Sequence, residues 1–403
     1  MTVAPAADSR PAAAIDSAEA AVDAARDLAS RFADGAAQRD RERHLPHAEV
    51  EYLSDAGLFA LTVPARFGGP DLPPSVIAEV FRTLATADGS LAQIPHSHYV
   101  YLTALRLAAP EGLQRRIFEQ VLDGARIANA QSERGGKTVA DVATTLTRTP
   151  DGAHLDGEKF YCTGSPYAHL LAVLARDADS GEQVIAFVQA DTPGITIVDD
   201  WNGLGQRTTG SGTVRFDDVA VPLDAVFTRT GAVSEPTGYG AFAQLLHVAI
   251  DTGIARGALD AAAQFVRTTS RPWFEAEVDR AQDDPLLIHR FGELTVTVRS
   301  AEAALVVAGA AVDAAFTTPG PDTAAEASLA VATAKVLADR AATEVPAALF
   351  EVSGTRSAGG DLGLDRFWRD GRTHTLHDPV RYKVQHLGRF TLNEVRPPLH
   401  GVV

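Results

Sequence analysis

Two histidines near the C-terminus, His374 and His377, are the side chains around which a chemical reading of this sequence is best built. Imidazole gives and takes a proton near neutrality, which suits general acid–base work and proton relay. The pair sits in Arg366-Phe-Trp-Arg-Asp-Gly-Arg-Thr-His-Thr-Leu-His-Asp-Pro-Val-Arg-Tyr-Lys383, a basic run in a chain whose formal net charge is −16. Spaced three apart, the two would share a helix face, with Trp368 and Leu376 as apolar anchors of the same turns. Asp378-Pro379 has the pattern of an N-cap followed by proline at the first helical position. One helix should therefore end just after the histidines and another run from about Val380 to Asn393. Taken alone, these residues fit a capped helix junction with surface histidines equally well.

The remaining candidates are sorted by what their spacing excludes. His96 and His98 lie two apart beside Pro95, and no H-x-x-x-H with an acidic partner occurs, so no metal site is expected. His44, His47, His154, His289 and His400 are expected to be surface or structural residues. The single cysteine, Cys162, excludes an internal disulfide and a cysteine-based zinc site. Dinucleotide, P-loop and serine-esterase glycine motifs are absent. Three polar clusters remain: Asn129-Ala-Gln-Ser-Glu133, Phe160-Tyr-Cys-Thr-Gly-Ser165, and Asp200 to Ser211, which contains Trp201. Hydroxyls and amides beside an aromatic ring suit the edge and face of a planar heteroaromatic ligand. Each cluster is also an ordinary strand end or turn.

The elements that must position these groups follow from periodicity. From about residue 16 to 130 the pattern is helical: Ala18 to Asp34, Pro46 to Ala56, Pro74 to Ala87, Ser97 to Ala108 and Glu111 to Asp123. Residues 131–235 carry short alternating or apolar runs (Val142–Arg148, His154–Tyr161, Leu170–Arg176, Val184–Gln189, Gly212–Phe216), which predicts a β domain. Asp177 to Glu182 should be a hairpin tip. From 236 to 403 long helical runs return, Phe242 to Thr269, Pro285 to Phe316 and Thr323 to Val352, which predicts an antiparallel bundle. The fold class is α+β, mainly α. Residues 1–15, rich in Ala and Pro and unlike a signal peptide, should be a disordered arm. An acidic balance argues against nucleic acid as partner, and no long unbroken apolar run suggests a membrane span, so a cytoplasmic protein is expected.

Motifs and order together resemble the acyl-CoA dehydrogenase superfamily from about residue 20 to 395. Asn129 to Glu133 and Lys159-Phe-Tyr-Cys-Thr-Gly164 are similar to its flavin-edge motifs. Thr213-Val-Arg-Phe-Asp-Asp-Val-Ala-Val-Pro222 and Arg369-Asp-Gly-Arg372 are similar to its later signatures. The run Phe367 to Lys383, with Gly257 to Ala262, Arg271-Pro-Trp273 and Phe350 to Gly354, resembles the flavin-dependent monooxygenase branch, which includes dibenzothiophene monooxygenases and sulfur-acquisition oxidoreductases.

That resemblance implies an N-terminal helical domain, a central β-barrel-like domain and a C-terminal four-helix bundle, assembled as a homotetramer. It implies FMN, arriving as FMNH2 from a separate NAD(P)H–flavin reductase. Reaction with molecular oxygen gives a C4a-hydroperoxyflavin that oxygenates sulfur or nitrogen in a small-molecule substrate. His377 is implied as the catalytic donor with His374 beside it, and His98 with Tyr99 and Tyr101 at the substrate cavity. Asn129, Ser132, Thr163 and Ser165 would contact the flavin edge, Trp201 its ring system and Arg271 its phosphate. The alternative is an FAD-dependent acyl-CoA dehydrogenase. Its catalytic glutamate is matched here by Asp378, the helix Gly253 to Leu259 has no acid, and the segment Glu351 to Arg356 lacks the glutamine and glycine pair used for FAD. FAD is thus the less favoured cofactor. A non-catalytic flavin-fold protein is the third reading, prompted by Gln93 where the monooxygenase branch has a histidine.

Overall fold

The computed structural model describes residues 2–3, 13–138 and 140–400. Its first part is helical: α1 (Ala18–Ala33), α2 (Ala36–Glu42), α3 (His47–Asp55), α4 (Pro74–Ala87), α5 (Gly89–Gln93), α6 (His96–Ala108) and α7 (Glu111–Leu122). Ser17 caps α1 by accepting from Ala20 N at 3.2 Å, and Ala21, Ala25 and Phe32 turn its apolar stripe inward. Asp88 accepts from Ser90 N and Leu91 N, which starts the short α5 directly after α4. Pro95 then separates α5 from α6. These two starts place Gln93 and His96 on adjoining helix ends.

The second part is one mixed sheet of β1 (Thr2–Val3), β2 (Ile127–Ala130), β3 (Thr145–Thr149), β4 (Gly152–Lys159), β5 (Leu170–Asp177), β6 (Gln183–Gln189), β7 (Ile195–Val198), β8 (Thr213–Val221) and β9 (Val226–Thr228). The order is β1-β7-β8-β4-β3-β5-β6-β9, with β2 parallel to β5. The expected tip at Asp177 to Glu182 joins β5 to β6, closed by Asp177 N donating to Glu182 O at 2.9 Å. The sheet reaches back to Ile127, ahead of the expected change at 131, because a four-residue run is too short to show a period.

After α8 (Thr230–Val233), the helices α9 (Tyr239–Thr268), α10 (Pro285–Thr317) and α11 (Pro321–Ser353) pack on one another, with α12 (Asp365–His374) and α13 (Val380–Asn393) against α11. α9 is buried around most of its circumference, as its near-absence of charge implied. It lies hard against α4: a Cβ at Gly253 would fall 2.3 Å from Arg82 O, so glycine sets that approach. α10 is long and apolar enough to cross a membrane by length and composition. One of its faces, through Leu294, Val298, Ala301, Leu305, Ala308 and Val312, lies in the core.

Of the arm expected to be disordered, residue 1 and residues 4–12 lie outside the described residues. Thr2–Val3 pair antiparallel with β7, and Ala13 N donates to Asp55 O at 2.9 Å, so backbone hydrogen bonds order those ends of the arm.

Candidate active site

A cavity of 560 Å³ opens where the three parts meet. The first part contributes Gln93, His96, Ser97, Val100 and Tyr101. Loops flanking the strands contribute Gln131, Ser132, Tyr161, Thr163, Trp201, Gln206 and Ser211, with Asn129 from β2 itself. Gln244 and His247 come from α9, and Thr373, Leu376, His377 and Asp378 from the end of α12 and the turn that follows. The Trp201 loop is pinned on α12: a Cβ at Gly205 would sit 2.0 Å from Arg369 O, and Gln206 N donates to Asp370 Oδ1 at 2.5 Å.

The helical side of the cavity is backed by a buried electrostatic network. Lys335 Nζ donates to Asp251 Oδ2 at 2.6 Å, and His374 Nδ1 meets Asp251 Oδ1 at 2.6 Å. All three side chains are fully buried. Burial alone would raise the Asp251 carboxyl, but Lys335 and His374 overcome it and hold it down to about 2. His374 Nε2 lies 3.0 Å from His247 Nδ1 and 3.1 Å from Gln93 Oε1. His377 Nδ1 donates to the His374 carbonyl at 2.7 Å, which leaves its Nε2 toward Gln93 Nε2 at 3.4 Å. The His377 ring is exposed toward the cavity. Its protonation is pushed well down by the surrounding protein and by His374. His247 is likewise lowered, first by burial and then by His96, His377 and His374. His96 stacks on it with ring centroids 4.0 Å apart.

The sheet side is made of neutral groups. Thr163 Oγ1, Ser211 Oγ and Thr209 Oγ1 form a hydroxyl chain with 2.7 Å links. Trp201 Nε1 donates to Gln206 O at 2.8 Å, fixing the indole, and the ring of Tyr161 meets it edge-on at 6.2 Å. Tyr101 OH donates to Gln131 Oε1 at 2.9 Å. Asn129 Oδ1 on this side, and Gln244 Oε1 and Asp378 Oδ2 on the helical side, are buried lining atoms with no hydrogen-bond partner among the described residues. Buried polar atoms are normally paired, so this trio fits a polar-edged ligand.

The structure brings together His377, Asn129, Ser132, Thr163 and Trp201 on the cavity wall, with His374 directly behind His377. His374 closes α12, whereas His377 lies in the following turn, so the two meet across a helix end with ring centroids 4.8 Å apart rather than on one helix face.

Five expected residues sit differently in the structure. His98 is a core residue: its Nε2 bonds Phe59 O at 2.7 Å and its Nδ1 accepts from Ile127 N at 3.1 Å, so both nitrogens tie α6 to backbone. Tyr99 is buried with its hydroxyl on Leu58 O, outside the cavity lining. Ser165 is fully buried and also outside the lining. Asp378 does not cap α13, which starts after Pro379 without a side-chain cap. Arg271 lies on the exposed loop past α9, about 30 Å along that helix from His247 at 1.5 Å per residue.

His247, Gln244 and Asp251 escaped the sequence reading although a signal exists: they recur at helical spacing along a stretch otherwise almost free of charge. Lys335 is equally isolated in α11 but gives no hint of its partner. His247, His374 and His377 place ring nitrogens within 4.8 Å of one another, a clustering that spacing in sequence hides.

Comparison with known proteins agrees with this geometry. Residues 16–125, 128–219 and 245–382 match the N-terminal, middle and C-terminal domain profiles of the acyl-CoA dehydrogenases, in order. A dibenzothiophene monooxygenase of Rhodococcus qingshengii is 34% identical over 405 residues, covering 96% of each chain. A probable FMNH2-dependent monooxygenase, SfnC, of Pseudomonas putida is 34% identical over 380 residues, covering 93% of this chain and 95% of its own. FMN-bound TdsC from Paenibacillus sp. A11-2 superposes with a TM-score of 0.91 at 32% identity, covering 95% of this chain and 100% of its own. Three domains matched in sequence order and relatives aligned end to end place this chain in the acyl-CoA dehydrogenase family.

Proposed function

We propose that the chain is the oxygenase half of a two-component, FMNH2-dependent monooxygenase that transfers one oxygen atom to sulfur, or nitrogen, in a small organic substrate. The observation that carries this reading is the two-sided cavity. A wall of hydroxyls, amides and an indole with open hydrogen-bonding valence faces a histidine pair braced by a buried ion pair. FMN fits the open wall: Asn129, Ser132 and Thr163 would meet its edge and Trp201 its rings, while Arg271, remote from the cavity in its own chain, would have to reach the phosphate from a neighbouring copy. Reduced flavin supplies the two electrons with which oxygen is activated, one oxygen atom going to the substrate and the other leaving as water. The reductase is a separate protein, because this chain has no glycine-rich nucleotide motif with which to take hydride from NAD(P)H.

The protein's own part is to hold, orient and exclude. His377 faces the cavity with Nδ1 committed to the His374 carbonyl, so its Nε2 is the atom positioned to hold or give a proton. Asp251 and Lys335 fix His374, and His374 in turn fixes His377. Buried Tyr101 and His96, with half-buried Val100, close the substrate end against water.

A homotetramer and a cytoplasmic location belong to the same reading. Val296, Ala303, Val307 and Ala310 recur at helical spacing on the outer face of α10 and are exposed, a stripe suited to pairing with another copy. Val307→Glu should lower the oligomer size in light scattering; an unchanged size would count against that face.

A dehydrogenase is the second reading, because Asp378 lines the cavity with a free Oδ2. Flavin retention separates the two. Tightly held FAD and oxidation of an acyl-CoA favour the dehydrogenase. Weak FMN binding, with oxygenation of a dialkyl sulfone, aromatic thioether, indole or amine in the presence of a flavin reductase, is the result expected.

A further inference from the structure

Gln93 bridges the two histidines. Its side-chain oxygen lies 3.1 Å from His374 Nε2 and its nitrogen 3.4 Å from His377 Nε2. The other ring nitrogens are committed, His374 Nδ1 to the Asp251 carboxylate and His377 Nδ1 to the His374 carbonyl. Both partners are pure acceptors, so both Nδ1 atoms carry hydrogen. The only variable left in each ring is a hydrogen at Nε2. A primary amide has one accepting and one donating end. Between two Nε2 atoms it is satisfied when one bears hydrogen and the other offers a lone pair. Two hydrogens would set N–H against NH2, and two lone pairs would set one of them against the amide oxygen. Either mismatch would fall on a side chain only 3% exposed, where unmet hydrogen bonds are expensive.

We propose that Gln93 is a positioning residue whose amide confines one exchangeable proton to the His374–His377 pair, turning over to match whichever ring holds it. With its oxygen toward His374, that ring is the imidazolium and His377 presents a lone pair. With the amide reversed, the hydrogen sits on His377 Nε2 at the cavity wall and His374 is neutral. The proton count of the pair is the same in both arrangements. His377 can thus be recharged after donating without a second positive charge entering the site.

The neighbours favour the arrangement with the proton on His374, because burial and then His374 itself oppose charge on His377. From α9, His247 places Nδ1 3.0 Å from His374 Nε2 and its ring 4.7 Å from that of His377. His247 and His96 are both held neutral by burial, and His247 follows His374 by choice of tautomer. Asp251 and Lys335 neutralise one another behind His374, and Asp378 adjoins His377 on the cavity wall.

Use of the proton rests on the monooxygenase reading; the pairing itself does not. Two near-isosteric variants test it, Gln93→Glu, which accepts at both ends, and Gln93→Met, which does neither. Imidazole nitrogen NMR on the flavin-free protein should show one Nε2 hydrogen shared by the pair in wild type between about pH 6 and 8. In the Glu variant two should be retained, with the second uptake moved up by at least one pH unit; in the Met variant the rings should titrate independently. The pH profile of oxygen transfer at saturating reduced FMN should move with it in kcat, with KM little changed. Histidine signals that superimpose in all three proteins would overturn the proposal. If wild type transfers no oxygen to any substrate, the functional reading fails while the NMR titration still decides the role of the amide.

Discussion

The two walls of the cavity are built on opposite principles. On the helical side the buried ion pair and the histidines are linked in series, Lys335 on Asp251, Asp251 on His374, His374 on Gln93 and His247, with Asp378 Oδ2 and Gln244 Oε1 open beside them. On the sheet side the groups are neutral, and Asn129 Oδ1 is left without a partner among the described residues. A wired wall resists change because each ion was desolvated for the next. An open wall tolerates change, since the hydrogen bonds it would make are to a ligand. The difference assigns the first wall to proton control and the second to cofactor recognition.

That contrast can be broken first at its deepest ion pair. Asp251→Asn leaves Lys335 buried without a counter-charge, and stability should fall by about 3–5 kcal/mol, read from the urea midpoint. A loss below about 1 kcal/mol would mean that the network is not what holds the wall. Next, His377→Ala should preserve fold and reduced-FMN binding while product formation, measured with excess reductase, drops by about 10²-fold or more. Unchanged yield would remove His377 from the chemistry. On the open wall, Thr163→Val and Trp201→Ala should leave the urea midpoint nearly unmoved and weaken reduced-FMN binding by roughly tenfold each, the scale of a lost hydrogen bond or ring contact. Equal losses of stability on both walls would erase the distinction.

The smallest effect concerns pH. His96 and His98 are each lowered to about 4, chiefly by burial. The unfolded chain, with ordinary histidines near 6.5, takes up protons first as pH falls, so their contribution is complete above that value and is lost on going down toward 4. Thermal unfolding followed from pH 7 to 4 should show a falling midpoint. The His98→Asn variant should fall less steeply across that window, whereas a slope identical to wild type would place the loss elsewhere.

How much of this was legible in the sequence depended on whether a signal was local. α4 could be bounded at Pro74 and Ala87, and the last helix at Val380 to Asn393, because proline starts and apolar spacing are written in adjacent residues. α2, β2 and β9 are too short to show a period. His96 and His98 illustrate the limit at the site. Two residues apart on one helix, they point to different neighbours, and only tertiary contacts decide that His96 stacks in the cavity while His98 serves the backbone. The pair His374 and His377 was readable as a pair, but its brace from Asp251 and Lys335, more than 80 positions away from one another in sequence, was not.

The central claim is that this cavity uses reduced FMN to put oxygen from O2 on a heteroatom. The direct test is a single turnover of the protein with anaerobically reduced FMN and an organosulfur compound, started by mixing with ¹⁸O₂. One ¹⁸O atom in the oxidised sulfur product is the outcome this account predicts. Product labelled only from water, or no sulfur product while an acyl-CoA is oxidised instead, would contradict it.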